Sequence, residues 1–187
     1  MNVTVFGGAS PKPGQLEYLQ ALRLGRLLAE GGYTVLTGGY MGTMEAVSRG
    51  AAEAGGHTIG VTCDEIERWR ASKANPWVQE VWSRPTLTDR LVALMDSSDA
   101  FIALPGGPGT LTEISLAWNR MVIEALSPRP LIVIGPGWRS VFSQLFTAQD
   151  SNIAEAYRRL LTFVDNVDQA AELLKNGNGH QTTDNGK

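Results

Sequence analysis

Short blocks of β-branched and aromatic residues alternate along this chain with longer stretches in which apolar residues recur every three or four positions. Val3-Thr4-Val5-Phe6, Tyr33-Thr34-Val35-Leu36, Thr58-Ile59-Gly60-Val61, Asp99–Leu104 and Leu131-Ile132-Val133-Ile134 read as buried strands. Between them, Leu16, Leu19, Leu22, Leu24, Leu27 and Leu28 mark one helix, stopped by Gly31-Gly32, and residues 42–54 mark a second, stopped by Gly55-Gly56. Residues 87–95, 110–126, 138–146 and 167–174 carry further helical patterns, with short strands expected at 78–82 and 161–164. Residues 64–75 are charged and are expected to form a surface excursion with about one helical turn. The alternation predicts an α/β fold, a Rossmann-like open, mainly parallel sheet with helices on both faces. One domain is expected over 1–175, followed by a disordered tail over 176–187, where polar and glycine residues offer no apolar surface to bury.

Composition then removes function classes. The net charge is −3 and no basic run occurs, so nothing favours a nucleic-acid partner. No apolar run approaches the roughly 20 residues that cross a bilayer, and no membrane partner is expected. One cysteine, Cys63, offers no internal disulfide, which with the lack of a leader pattern predicts a cytoplasmic protein. The two histidines, His57 and His180, lack partners at metal-ligand spacing, so no metal site is expected.

Three glycine turns follow apparent strand ends, at 7–8, 38–39 and 106–109. In an open parallel sheet such turns line the crevice beyond the carboxyl ends of the strands. Glycines there let the main chain approach a ligand, and a helix start offers N–H groups to an anion. Neither early turn carries the full dinucleotide fingerprint, so a mononucleotide fits better. The substrate-binding candidates are Gly8, Ser10, Gly38, Gly39, Gly106, Gly107, Gly109 and Thr110. Thr110 and Glu113 admit two readings: a capping box, in which each satisfies the other's backbone donor, or a site pair with the carboxylate facing the crevice. Arg90 likewise reads either as a solvated surface arginine paired with Asp89 or a neighbouring charge, or as a fixed cation aimed at a ligand. The five tryptophans read mainly as packing residues; Trp69 and Trp77, in a polar stretch, are alternatives for covering a base or a second subunit.

The run Pro105-Gly106-Gly107-Pro108-Gly109-Thr110-Leu111-Thr112-Glu113 resembles the P-G-G-x-G-T-x-x-E signature of the LOG ("Lonely Guy") phosphoribohydrolases. Gly38-Gly39-Tyr40-Met41-Gly42-Thr43-Met44 resembles that family's second glycine motif, and Arg90 falls where the family keeps an active-site arginine. Thr37, Tyr40, Leu91 and Thr112 depart from the family's usual residues. The resemblance implies hydrolysis of a nucleoside 5′-monophosphate, AMP or a cytokinin riboside monophosphate, to free base and ribose 5-phosphate. It implies Arg90 and Glu113 as catalytic residues, no metal or organic cofactor, and a homodimer. An older reading of such sequences as pyridoxal-dependent lysine decarboxylases needs a buried Schiff-base lysine, whereas Lys12, Lys73, Lys175 and Lys187 all fall in loop-like or terminal contexts. The alternative on the same fold is a non-catalytic binder of a phosphate-bearing ligand, such as a molybdenum-cofactor carrier or a nucleotide sensor.

Overall fold

The structure, a computed structural model, describes residues 1–70 and 72–178. Its centre is β1 (Asn2–Phe6), flanked in order by β2 (Thr34–Thr37), β3 (Thr58–Cys63) and β4 (Glu80–Arg84) on one side. On the other side lie β5 (Ala100–Ala103), β6 (Leu131–Ile134) and β7 (Thr162–Val164), and every neighbouring pair is parallel. The chain winds outward from β1 to β4, returns across the sheet, and winds outward again from β5. Strand order therefore reverses between β1 and β5, the position where such sheets open a crevice.

Both faces of this sheet are buried, so the inner strands are apolar at successive positions rather than at alternate ones. Val3, Val5, Ala100, Ile102, Ile132 and Ile134 enter one core with α1 (Leu16–Glu30), α2 (Thr43–Glu53) and α8 (Val167–Asn178). Phe6, Phe101, Ala103, Leu131 and Val133 enter the other, against α4 (Leu87–Asp96), α5 (Pro108–Val122) and α6 (Pro136–Ala148). The expected fold class is thus found, with a wholly parallel sheet.

Several local expectations change. Residues 64–75 contain a seven-residue helix, α3 (Asp64–Arg70), rather than a single turn. β4 starts two residues later than its apolar residues suggest, because it is a half-exposed edge strand paired only with β3. α5 starts at Pro108 and ends at Val122, not at Leu126, and a short helix α7 (Glu155–Arg158) appears where none was expected. The closing helix runs to Asn178; the rest of the tail expected to be disordered lies outside the described residues. On α5, Met121 is buried, and the Trp118 ring meets Phe142 and Phe146 of α6 edge-on.

Candidate active site

The C-terminal ends of β1 and β5 deliver two loops to the switch point. Gly8 N donates to Pro105 O at 3.3 Å, which ties the loops together, and Thr43 at the start of α2 donates from N and Oγ1 to Gly8 O at 2.9 and 3.1 Å. The close approach demands glycine at 106: a Cβ there would lie 2.7 Å from Thr110 Cβ and 3.0 Å from Gly8 N, well inside the roughly 3.5–4.0 Å of ordinary carbon contacts.

Gly107 is the N-cap of α5, Pro108 takes the first helical position, and no side chain caps the helix. Proline fits there because its missing N–H is one of the donors a helix start leaves unpaired. The capping-box reading of Thr110 and Glu113 is therefore excluded, since Thr110 sits inside the helix three residues past the N-cap. The first-turn N–H groups keep the positive end of a 15-residue helix directed at the crevice. A Cβ at Gly107 or Gly109 would meet nothing within 4 Å, so both glycines border open space.

Arg90 is reached through a cap of its own. Thr86 starts α4, its Oγ1 accepting from Asp89 N at 3.1 Å and donating to Asp89 Oδ2 at 2.6 Å. Asp89 is thereby engaged at the helix start, and Arg90, only 5% exposed, points inward. The surface reading of Arg90 is wrong for a reason distant in sequence: its Nε donates to Val61 O at 2.7 Å, at the end of β3. Its guanidinium also occupies the space a side chain at 38 would fill, where a Cβ would be 3.2 Å from Arg90 Cζ and 2.6 Å from Met44 Sδ. Tyr40 supplies a ring 5.8 Å from Arg90 Cζ. That ring is fixed because the Tyr40 hydroxyl donates to Cys63 O at 3.1 Å and accepts from Cys63 N at 2.8 Å. Asn75 locks the same turn, its Nδ2 donating to Gly39 O and Tyr40 O at 3.0 Å each.

Glu113, 8% exposed, lies one helical turn beyond Thr110 on the same face of α5. Its Oε1 is 3.7 Å from Arg90 Nη1, an ion pair too long to be a hydrogen bond. Burial penalises the carboxylate more than this cation rewards it. The net effect raises the Glu113 pKa to about 7, with burial pushing it up and Arg90 pulling it down. A buried carboxyl that titrates near neutrality beside a fixed cation can exchange a proton with a ligand.

These residues border a crevice of about 280 Å³, near the lower end of the roughly 300–1,000 Å³ typical of small-molecule sites. Of the residues singled out in the sequence, Gly8, Ser10, Arg90, Gly107, Gly109, Thr110 and Glu113 line it. Gly38, Gly39 and Gly106 stand behind the lining and act through space, making room for Arg90, Thr62 and Thr110. Sequence reasoning missed Tyr40, Met44, Ile66 and Arg70, which also line it; the spacing of Ile66 and Arg70 along α3 was the available signal. The larger depression between Arg139 and Arg158 holds arginines already paired with Asp165 and Asp150. Among the described residues no cluster of metal-ligating side chains occurs, and Lys12, Lys73 and Lys175 are all exposed, as a pyridoxal lysine is not.

A family model described as the SLOG cluster4 family matches residues 1–160. The chain belongs to the SLOG cluster4 family. Two curated relatives of this SLOG cluster4 chain bear the name cytokinin riboside 5′-monophosphate phosphoribohydrolase. That of Mycobacterium marinum is 30% identical over 181 residues, covering 94% of each chain. That of Mycobacterium tuberculosis is 32% identical over 174 residues, covering 90% of each. Among solved structures, a molybdenum cofactor binding protein from Rippkaea orientalis superposes with a TM-score of 0.72 at 26% identity, covering 94% of this chain and 95% of its own. The molybdenum cofactor carrier protein of Chlamydomonas reinhardtii gives 0.69 at 26% identity, covering 94% and 96%. The LOG-type resemblance expected from the glycine signature is thus borne out at the level of family.

Proposed function

We propose that this chain is a phosphoribohydrolase that cleaves the N-ribosidic bond of a nucleoside 5′-monophosphate, with AMP or a cytokinin riboside monophosphate as substrate. The observation that carries the reading is Glu113: a nearly buried carboxyl with a pKa raised to about 7, facing the switch-point crevice 3.7 Å from a fixed arginine. In the proposed reaction the bond between C1′ and the base nitrogen breaks, and its electron pair leaves with the base. The sugar becomes oxocarbenium-like, and a water oxygen bonds to C1′ from the opposite face. Glu113, ionised, stabilises the developing positive charge and accepts the proton that this water gives up. Arg90 stabilises negative charge on the departing base, which takes up a proton from solvent water as it leaves, while Glu113 returns the proton it accepted to solvent. The 5′-phosphate rests on the N–H groups of Gly107, Gly109 and Thr110, with the Thr110 and Ser10 hydroxyls as further donors. No metal or organic cofactor enters this scheme, and the protein acts in the cytoplasm as a homodimer.

A second reading, a carrier of a phosphate-bearing pterin, draws on the likeness to the molybdenum cofactor binding protein of Rippkaea orientalis and the molybdenum cofactor carrier protein of Chlamydomonas reinhardtii. Phosphate capture by the glycine loop serves either function, but a carrier has no use for a carboxyl poised to exchange a proton. Incubation with a panel of nucleoside monophosphates, read as released ribose 5-phosphate, separates them. Release from AMP supports the hydrolase; no release from any member, together with tight pterin binding, supports the carrier.

A further inference from the structure

One wall of the crevice has no part in the chemistry just described. The helix α3 is held along one face by its acids: Glu65 Oε2 accepts from Leu87 N at 2.7 Å, and Asp64 Oδ1 accepts from Ser83 Oγ at 3.5 Å. Ile66, Trp69 and Arg70, spaced i, i+3, i+4, share a different face, and all three line the crevice that holds Arg90 and Glu113. Trp69 is 73% exposed, the most exposed of the large hydrophobic side chains described. Leaving an indole in water forfeits the burial that normally makes tryptophan useful. The Arg70 guanidinium lies over its ring, with Cζ 4.5 Å from the ring centroid, a contact that favours this orientation of the indole. Arg70 is in no ion pair among the described residues, which leaves its guanidinium available for this stacking.

The other aromatics near the crevice are committed elsewhere. Tyr40 is buried with its hydroxyl engaged by Cys63. Trp77 lies outside the lining and carries Arg49 at 5.3 Å. Trp69 is thus the one exposed aromatic side chain lining the crevice among the described residues.

We infer that Trp69, held in place by Arg70, is the base platform of this site, stacking on a purine ring and so selecting purine over pyrimidine monophosphates. This rests on the nucleotide reading above. The logic is a division of the ligand between the two walls. The glycine loop of α5 takes the anionic end, Arg90 and Glu113 stand at the floor, and the α3 face across the crevice offers a flat apolar surface to the remaining end of the ligand. Stacking gains with ring overlap, so a bicyclic base benefits more than a monocyclic one. A ring already confined by a guanidinium loses less side-chain freedom on binding, which keeps more of that gain.

The test is calorimetric binding of AMP, CMP and ribose 5-phosphate to the full chain in a Glu113→Gln background, which leaves the ligands intact, with and without Trp69→Ala. The Trp69→Ala exchange is expected to weaken AMP roughly tenfold or more, to weaken CMP less, and to leave ribose 5-phosphate within about twofold. Trp69→Tyr is expected to recover most of the loss. The inference is overturned by unchanged AMP affinity, by equal losses for AMP and CMP, by a matching loss for ribose 5-phosphate, or by an unaltered chain that does not bind AMP. Ribose 5-phosphate release from AMP by the chain with Glu113 intact is recorded in parallel. Turnover with Trp69→Ala leaving affinity unchanged removes the platform alone; no turnover with Trp69→Ala weakening AMP removes the hydrolase reading alone.

Discussion

Gly38→Ala isolates how far catalysis depends on the placement of one guanidinium. The backbone at 38 does not need the left-handed region, since Gly38 is not among the glycines with positive φ, so alanine brings no main-chain strain. What it brings is a methyl group aimed at Arg90, 3.2 Å from Cζ and closer still to Nη2, with Met44 Sδ at 2.6 Å on another side. Restoring contacts of about 3.5–4.0 Å requires the guanidinium to move by on the order of 1 Å or more. Such a shift breaks the geometry of the 2.7 Å bond from Arg90 Nε to Val61 O and carries Nη1 away from its 3.7 Å approach to Glu113. A misplacement of that size costs about 100-fold in rate where orientation matters. The expected loss in kcat/KM for AMP is of that order. A second signature follows from electrostatics: Arg90 is the cation that pulls the Glu113 pKa down, so its displacement lets burial push that pKa above about 7. The rising limb of kcat/KM against pH should therefore move to higher pH. The assay is ribose 5-phosphate release between pH 5 and 9, with circular dichroism to confirm folding. A folded variant with parental activity and an unshifted profile would refute the assignment of Arg90.

Two further outcomes test neighbouring parts of the site. Gly109→Ala adds a methyl group where nothing lies within 4 Å, so thermal stability should hold within about 0.5 kcal/mol while KM for AMP rises roughly tenfold, because the methyl projects toward the proposed phosphate; an unchanged KM would move the phosphate elsewhere. The raised pKa of Glu113 has a thermodynamic counterpart. A folded-state pKa of about 7 against the ordinary value of 4.5 means the fold favours the protonated acid. The stability it contributes is full below pH 4.5 and lost as pH rises through about 7, a change of about 3 kcal/mol. In urea titrations Glu113→Gln should lose less stability than the parent between pH 4.5 and 8 by about that amount; parallel curves would contradict the burial argument.

Much of this site was legible because it is local. The Pro105–Glu113 run sits between a strand and a helix, and that order alone predicts an anion cradle at the crevice. What escaped was nonlocal or depended on small shifts in helix start. Thr110-x-x-Glu113 matches a capping box as text, but Pro108 starts the helix two residues early and leaves the pair inside it. The Thr-x-x-acid arrangement that does cap a helix is Thr86 and Asp89, which freed Arg90 from its expected partner. Arg90 looked like a surface residue because the groups that hold it, the Val61 carbonyl and the missing side chain of Gly38, come from β3 and from the end of β2. Parallel strands assemble such partners only once the sheet order is set, and no periodicity along the chain encodes that. The α3 wall was legible only in part: Trp69 stood as an alternative for covering a base, but a short, charged segment gives little amphipathic signal beyond the spacing of Ile66 and Arg70, whose face with Trp69 completes the crevice.

Glu113→Gln in a single-turnover experiment with AMP bears most directly on the mechanism. Glutamine keeps the shape of the protonated acid but cannot become the carboxylate that accepts a proton from water. The account predicts AMP binding within a few-fold of the parent and a rate of ribose 5-phosphate release lower by about 100- to 10,000-fold. Release at the parental rate would show that the buried carboxyl beside Arg90 takes no part in breaking the bond.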